Sequence, residues 1–498
     1  MLDATTQFIV DLFVLLAAAV LAGEIAVHLG QAALVGQLCA GVVLGPTLLG
    51  PFFGLTGPTG ALAAVQTLAV IFVLFLAGLE VVPGSIQRME FGNFVLGIVA
   101  FALPFGAAAL VVGPVLGLGY PTNLYVALAL SITALPVMSI MLDELGLSQT
   151  RLGTWLLNTA LINELTAVSV FAVLLRLGST PLENARAIAI GVVALALFIT
   201  TILSIQQALR FLRSTRVGER IVRGFGATWR SKQGEFALLM VLVVGATLYS
   251  QFLGLTYVVG AFYAGLLVTR ESAGQEAHRS ISQTFGSMSW GFFIPLFFAL
   301  IGVNMDLRDL ASWPVVAAFA VLFALAAVAK IGTGFFVGTA FGWKRTDSIV
   351  IGHLINSRGA VELAMAVILL ETGLISTGIF TLIAAIGLLT TILAPIGATQ
   401  AILADPERRD ALYRRVPSLR PGPGRRRYRP VIPDEAYWGW SMGEEPVPDP
   451  GRGTEEAPGA TSSPSGELTP DPGGVPPWKP PSRRPPLPTD RPGTSRER

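Results

Sequence analysis

One cysteine and three histidines in 498 residues leave little room for several kinds of chemistry. Cys39 has no partner within the chain, so neither an intrachain disulfide framework nor a cysteine-rich metal site can form, and redox chemistry is not expected. Charge is the second shortage: Asp, Glu, Lys and Arg make up 13% of the chain, against roughly 25% in soluble domains. The 34 basic and 32 acidic residues nearly cancel to +2, which gives no case for nucleic acid as a partner. No nucleophile stands beside a base and no metal-ligand cluster recurs, so the chain reads as neither an enzyme nor a cofactor carrier. The start lacks a basic leader and a small-residue cleavage site, so the first apolar run is read as a retained span. What is abundant is apolar: 52% of residues are hydrophobic and the mean hydropathy is +0.65. The expected solvent is a lipid bilayer.

Apolar runs of about 20 residues, the length that crosses a bilayer, lie near 7–28, 32–50, 60–81, 92–117, 123–142, 153–177, 185–209, 235–250, 253–269, 284–304, 313–341, 347–370 and 374–403. Thirteen spans place the termini on opposite sides. Basic residues collect in the cytoplasmic loops of membrane proteins. Arg88, Arg151, the run Arg210, Arg213, Arg216, Arg220, Arg223, Arg230 and Lys232, then Arg270, Arg279, Lys344 and Arg345 all fall in one set of loops, while the other holds little beyond Arg176, Arg186 and Arg308. This predicts an external N-terminus and a cytoplasmic C-terminus. A transmembrane domain over 1–404 is followed by 405–498, a Pro, Gly, Ser, Arg and Glu-rich stretch that reads as a disordered cytoplasmic tail. Its Arg425, Arg426 and Arg427 form a solvated or lipid-touching basic patch.

The chain repeats itself. "VGQLCAGVVLG" from Val35 and "VGAFYAGLLVT" from Val259 share V-G-x-x-x-A-G, and "LFLAGLEVV" from Leu74 resembles "LFFALIGVNM" from Leu296. Gly36 and Gly260 are 224 residues apart and Phe75 and Phe297 are 222 apart, one register for both matches. The matched spans are second with ninth and third with tenth, so the two copies, about 8–177 and 235–403, run oppositely through the membrane. Inverted repeats are a signature of secondary transporters.

The same register joins two spans that are not expected to be continuous helices. "LSITALPVMSI" carries Thr133 and Pro136; "LINSRGAVELA" carries Asn356, Ser357, Arg358 and Gly359. Proline removes a backbone donor and clashes with the preceding turn. A polar Asn-Ser-Arg-Gly run at membrane depth is tolerated where protein buries it or a wet cavity meets it. Paired interruptions in inverted halves point to an ion site near the midplane. The next span, "WLLNTALINELTAVSVFAVLLRLG", holds Glu164 near its centre, where an ionised group costs about 2.5–3.5 kcal/mol on insertion scales.

These landmarks resemble the monovalent cation:proton antiporter family, in its second branch of bacterial sodium/proton and potassium-efflux type. The resemblance runs from residue 8 to about 400, through "LVGQLCAGVVLGPTLLG", "VLFLAGLEV", "ALSITALPVMSIMLDELGLSQTRLGTWLLNTALINEL", "GEFALLMVLVVGATLYSQFLGLTYVVGAFYAGLL", "FFIPLFFALIGVNMDL" and "HLINSRGAVELAMA". It implies an all-α fold of about thirteen transmembrane helices with two crossing interrupted helices. It also implies a homodimer in the bacterial plasma membrane that exchanges sodium or potassium for protons by alternating access. The family's acidic pair falls on Asn163 and Glu164, its threonine on Thr133 and its lysine on Lys330. Asparagine at the first position is the electroneutral pattern; glutamate in place of the usual aspartate adds one methylene at the second.

Burial and a neighbouring cation pull the proton affinity of a carboxylate in opposite directions. Glu164 is therefore the expected carrier and the monovalent-cation ligand, tuned by Lys330, with Thr133 and Asn163 as ancillary ligands. The bland alternative is a buried Glu164–Lys330 ion pair that only holds helices together. Arg358 and Glu362 are an i,i+4 pair, expected to be structural and to compensate helix-end charge. Asn158 and Thr159 either reach the same cavity or hydrogen-bond within the bundle. Gly41 and Gly265 are expected to permit close helix packing. Two other functions remain open to the residues themselves: a sodium-coupled organic-anion symporter, and a non-transporting sensor that signals through its tail.

Overall fold

The computed structural model describes residues 3–29, 31–50, 60–79, 89–177, 181–214, 232–268 and 275–415. Among them there is no strand, and nine helical segments are long and apolar enough to cross a membrane. The long segments are α1 (Ala4–His28), α3 (Ala61–Leu79), α4 (Phe91–Leu116), α7 (Arg151–Leu174), α8 (Pro181–Ser214), α13 (Trp313–Ala340) and α16 (Thr377–Ala404), with two composite ones. In the first composite, α11 (Gln275–Met288) passes through a π-turn at Ser289–Phe293 into α12 (Ile294–Asn304); in the second, α14 (Arg345–Ile355) and α15 (Ala360–Glu371) are halves of one span. The shorter α2 (Ala33–Leu44) and α10 (Tyr257–Leu267), α9 (Lys232–Phe252) with its apolar stretch Phe236–Phe252, and a span split into α5 (Thr122–Ala129) and α6 (Leu135–Glu144), supply the remaining expected segments. α2 stops short of its expected end because Gly45 precedes Pro46, a position disfavoured for helix, and Gly45 is extended at φ −79°, ψ −174°.

Helix ends are closed by side chains. Asp3 accepts from the Thr6 N–H at the start of α1 and Thr150 from the Gly153 N–H at the start of α7. Glu90 and Asn93 form a reciprocal capping box on α4. These caps matter because the first four N–H groups of a helix have no partner within it.

Packing sorts the helices into two groups. In one, α2 lies on α1 and α12, and α3 lies on α10, which in turn lies on α9. In the other, α4 contacts α5, α7 and α13, α13 contacts α14, and α14 contacts α16. Exchanging the second span with the ninth and the third with the tenth turns the α2–α12 contact into the α10–α3 contact, as the inverted repeat requires. Both contacts are backbone to backbone. A Cβ on Gly41 would collide with the Ala299 carbonyl, and one on Gly265 with the Phe75 carbonyl. The two motif glycines therefore serve close packing, as expected.

Helical structure continues past residue 405, into the stretch expected to be disordered. A short helix, α17 (Pro406–Arg415), follows α16 directly, and its Leu412 joins the apolar core at 3% exposure. Segments rich in Arg and Glu look like tail by composition, yet "PERRDALYRR" contains good helix formers behind an aspartate cap. The tail beyond 415, including Arg425 to Arg427, lies outside the described residues, as do Arg88, Arg216, Arg220, Arg223, Arg230 and Arg270.

Candidate functional site

Both expected interruptions are present and they cross. The first runs from the end of α5 at Ala129 to the start of α6 at Leu135; the second runs from the end of α14 at Ile355 to the start of α15 at Ala360. Pro136 sits in the first turn of α6, where its missing N–H leaves no helical bond unmade. At the crossing, the Ala134 N–H donates to the Ser357 carbonyl at 3.2 Å. Gly359 lies so close to the first break that a Cβ there would come within 2.9 Å of the Ala134 Cβ.

Each break exposes a helix C-terminus and a helix N-terminus inside the protein, and each carries a partial charge that must be met. Arg358 meets the first C-terminus: its guanidinium donates to the Ala129 carbonyl at 2.9 Å and the Leu130 carbonyl at 2.5 Å, and pairs with Glu362 at 3.0 Å. Arg358 and Glu362 are 1% and 0% exposed. Thr133 meets the second C-terminus, donating its hydroxyl to the Ile355 carbonyl at 2.8 Å while accepting from the Lys330 ammonium. Asn163 braces the same residue, accepting from the Thr133 N–H at 2.8 Å and turning its amide toward the Gly97 carbonyl at 3.5 Å.

Glu164 is 0% exposed, and among the described residues neither of its carboxylate oxygens completes a hydrogen bond. The Leu135 N–H at the start of α6 faces it without closing a bond. The carboxylate therefore confronts the positive end of a half-helix, the polarity that suits an anion or a site shared with a small cation.

Lys330 enters the site through Thr133. Among the described residues no ion pair joins it to Glu164; it bonds Thr133, and its charged neighbours are Arg358 and Glu362. Successive residues of a helix point about 100° apart, so when Asn163 reaches Thr133 and the lysine side of the crossing, Glu164 turns to the start of α6. The bland reading of a Glu164–Lys330 strut falls with the same observation. Thr159 lies one turn before Asn163 but donates to its own helix at the Trp155 carbonyl, 3.0 Å away. Asn158 is buried at 8%, about 120° around α7 from Glu164 by helical geometry. Ser357 is buried at the second break with its hydroxyl unpartnered, as is the Asn356 side-chain oxygen.

Sequence reasoning passed over Thr391 on α16. Its hydroxyl accepts from the Arg358 N–H at 3.2 Å and donates to the Arg358 carbonyl at 2.8 Å, clamping both sides of one residue in the break. One threonine among several in an apolar span carries no signal of this kind. Asn93 was also missed; it ties α4 to α7 by donating to the Trp155 carbonyl at 2.7 Å.

Residues 13–403 match the family model described as "Sodium/hydrogen exchanger, transmembrane". The chain belongs to the sodium/hydrogen exchanger family. It is 27% identical over 415 residues to the Na(+)/H(+) antiporter NhaS4 of Synechocystis, covering 79% of this chain and 97% of that protein. It is 26% identical over 400 residues to the Na(+)/H(+)-K(+) antiporter GerN of Bacillus cereus, covering 78% and 95%. The solved structure of the sodium proton antiporter MjNhaP1 from Methanocaldococcus jannaschii superposes with a TM-score of 0.56 at 15% identity, over 82% of this chain and 100% of that one. The fold is therefore that of a sodium/proton antiporter and the protein is a cation:proton exchanger, a transporter of the membrane. Neither the organic-anion symporter nor the sensor gains support.

Proposed function

We propose that Glu164 is the group that a proton and a monovalent cation occupy in turn, and that this competition couples their opposite movements. The observation that carries the reading is a fully buried carboxylate that closes no hydrogen bond and no ion pair among the described residues, set beside the first interruption and facing the start of α6. Buried polar groups are nearly always satisfied, and an orphaned one calls for a ligand or a reaction. A proton neutralises the carboxylate by a covalent O–H bond. A dehydrated cation neutralises it by coordination, which oxygen donors favour for hard ions. One carboxylate holds one of them at a time.

The neighbours divide into ligands and braces. Thr133 and Asn163 are engaged with the Ile355 carbonyl, Lys330 and the Thr133 backbone, yet each side-chain oxygen keeps a lone pair for an ion. Lys330 and Arg358 compensate the two C-termini, so the break geometry persists whichever passenger Glu164 carries. Asparagine at 163 leaves one titrating acid in the pair, which favours one-for-one, electroneutral exchange. GerN, named for both sodium and potassium, motivates testing each alkali ion. The basic loops favour an external N-terminus and a cytoplasmic C-terminus in a bacterial plasma membrane, and the family pattern favours a homodimer.

The test is exchange in everted vesicles loaded with a pH-sensitive dye. Addition of sodium or potassium should move protons with wild-type protein, and Glu164→Gln should stop this while the protein remains inserted at wild-type abundance. Sustained exchange by Glu164→Gln would refute the assignment. Clamping the voltage separates the stoichiometries: electroneutral exchange does not respond, and a voltage-dependent rate rules out one-for-one coupling.

A further inference from the structure

α17 begins where the apolar part of the chain ends, and its polar contacts converge on the start of α14. Asp405 caps α17, accepting from the Glu407 N–H at 3.0 Å and the Arg408 N–H at 3.3 Å through one oxygen. Its other oxygen takes the hydroxyl of Thr346, in the first turn of α14, at 2.9 Å. Lys344, the residue before α14, pairs with Glu407 at 2.9 Å. Arg408 pairs with Asp347, whose side chain is only 4% exposed. Leu412 anchors the far end of α17 in the core.

The Arg408–Asp347 pair differs in kind from the other two. Lys344 and Glu407 are largely exposed, and such pairs contribute about 0–1 kcal/mol. Asp347 is buried, so Arg408 supplies the charge that keeps it there; removing one partner of such a pair is strongly destabilising. The structure thus holds a buried acid at the outer end of a half-helix, neutralised from an element beyond the transmembrane segments.

That half-helix leads to the ion site. α14 has 11 residues and spans about 16 Å at the rise of an α-helix. At its inner end the Ile355 carbonyl accepts the Thr133 hydroxyl, and Thr133 bonds both Lys330 and Asn163. α14 packs along α13 and α16, and a cleft of about 510 Å³ opens between α14, α16 and the start of α17, lined by Ile349, His353, Gly397 and Asp405 among others. α17 adds its polar contacts at the rim of that cleft, where Thr346 and Asp405 meet.

We propose that Arg408 and Asp347 are positioning residues for cation exchange: α17 clamps the cytoplasmic end of α14 and so fixes the Ile355 carbonyl that orders Thr133 and, through it, Asn163 on the helix that carries Glu164. This rests on the exchange reading of the site and adds a control point to it, because anything that loosens α17 alters cation binding about 16 Å away by the rise of the intervening helix.

The experiment uses full-length protein in everted vesicles, which present the clamp to the medium, and reads proton movement against sodium chloride or potassium chloride concentration. Arg408→Ala should raise the apparent KM for the cation by at least about fivefold, the lower end of coupling between distant sites, with a smaller change in maximal rate. Arg408→Lys, which keeps the charge, should restore most of the affinity. Where Arg408→Ala fails to insert, Asp347→Asn removes the same attraction without leaving a buried charge and should raise KM in the same direction.

The decisive arm restores the clamp by other means. In a Cys39→Ser background, Lys344→Cys and Glu407→Cys joined by a short thiol cross-linker should return the KM of Arg408→Ala to that of the cross-linked parent. An unchanged KM in Arg408→Ala, or a raised KM that the cross-link leaves in place, would overturn the proposal. Loss of exchange in wild-type protein would instead bring down the exchange reading, as would its survival in Glu164→Gln.

Discussion

The two interruptions are built to one plan and finished differently. Each presents a helix C-terminus met by a buried cation, Arg358 for α5 and, through Thr133, Lys330 for α14. Each has a carboxylate associated with the following N-terminus: Glu164 faces the start of α6, and Glu362 lies in the first turn of α15. The difference lies in who holds the acid. Glu362 is ion-paired to Arg358 within its own break, whereas among the described residues Glu164 has no ion pair and only the Leu135 N–H turned toward it. One break neutralises its acid internally; the other leaves its acid without an ion pair among the described residues. On the proposed reading, that missing partner is what turns one of two equivalent frames into a binding site.

The largest effect that tests this contrast is in transport. Glu164→Gln should lower cation-driven proton movement by about 100-fold or more, the order expected when a positioned acid–base group is lost, whereas Glu362→Gln should leave measurable exchange. Equal losses from both would erase the distinction. Next is stability. Arg358→Gln strips the Ala129 and Leu130 carbonyls and Glu362 of their partner and should destabilise the detergent-solubilised protein by about 3–5 kcal/mol in thermal unfolding, the cost of breaking a buried pair. Adding Glu362→Leu should recover a large part of that loss, because the unpaired buried acid goes with it.

Smaller effects sharpen the comparison residue by residue. Gly359→Ala places a methyl group against Ala134 and Val137 and should cost about 1–3 kcal/mol of stability by overpacking the crossing. Thr133→Val removes a hydroxyl that joins the breaks and should cost about 1–3 kcal/mol by leaving the Ile355 carbonyl unsatisfied. Thr159→Val, on the same helix face as Asn163 but bonded only to its own helix, should stay within about 1 kcal/mol. A thermal-shift series across the three gives the order.

The weakest expected dependence concerns pH at the loop between α12 and α13. Arg308 donates to Asp306 and holds its carboxyl below the ordinary value of 3.8. A depressed value means that this interaction is complete above the ordinary range and is lost only as pH falls through the lowered one. Asp306→Asn should therefore leave the shape of the exchange profile unchanged between about pH 6 and 9.

Much of this was legible in the chain. Spanning runs, the repeat register, the glycines at Gly41 and Gly265 and the two breaks all follow from composition at membrane depth, where an unsatisfied backbone or a charge is expensive enough to leave a mark. Glu164 stood out for the same reason. The partner of Lys330 did not, because 133 and 330 meet only through the crossing and adjacent positions 163 and 164 face different sides of α7. α17 was hidden by its composition, since ten polar-rich residues next to a Pro- and Arg-rich stretch share its statistics until Asp405, Arg408 and Leu412 find their contacts. Thr391 was illegible for a third reason: its importance lies in bonding both sides of another residue's peptide, which no side-chain pattern records.

The paired glycine seams limit how the molecule can flex. With Gly41 against the Ala299 backbone and Gly265 against the Phe75 backbone, α2 cannot slide on α12, nor α10 on α3, without driving main chain into main chain. Each of those helix pairs should therefore move as one body. Amide hydrogens along the seams should be among the slowest to exchange with deuterium, during turnover as at rest.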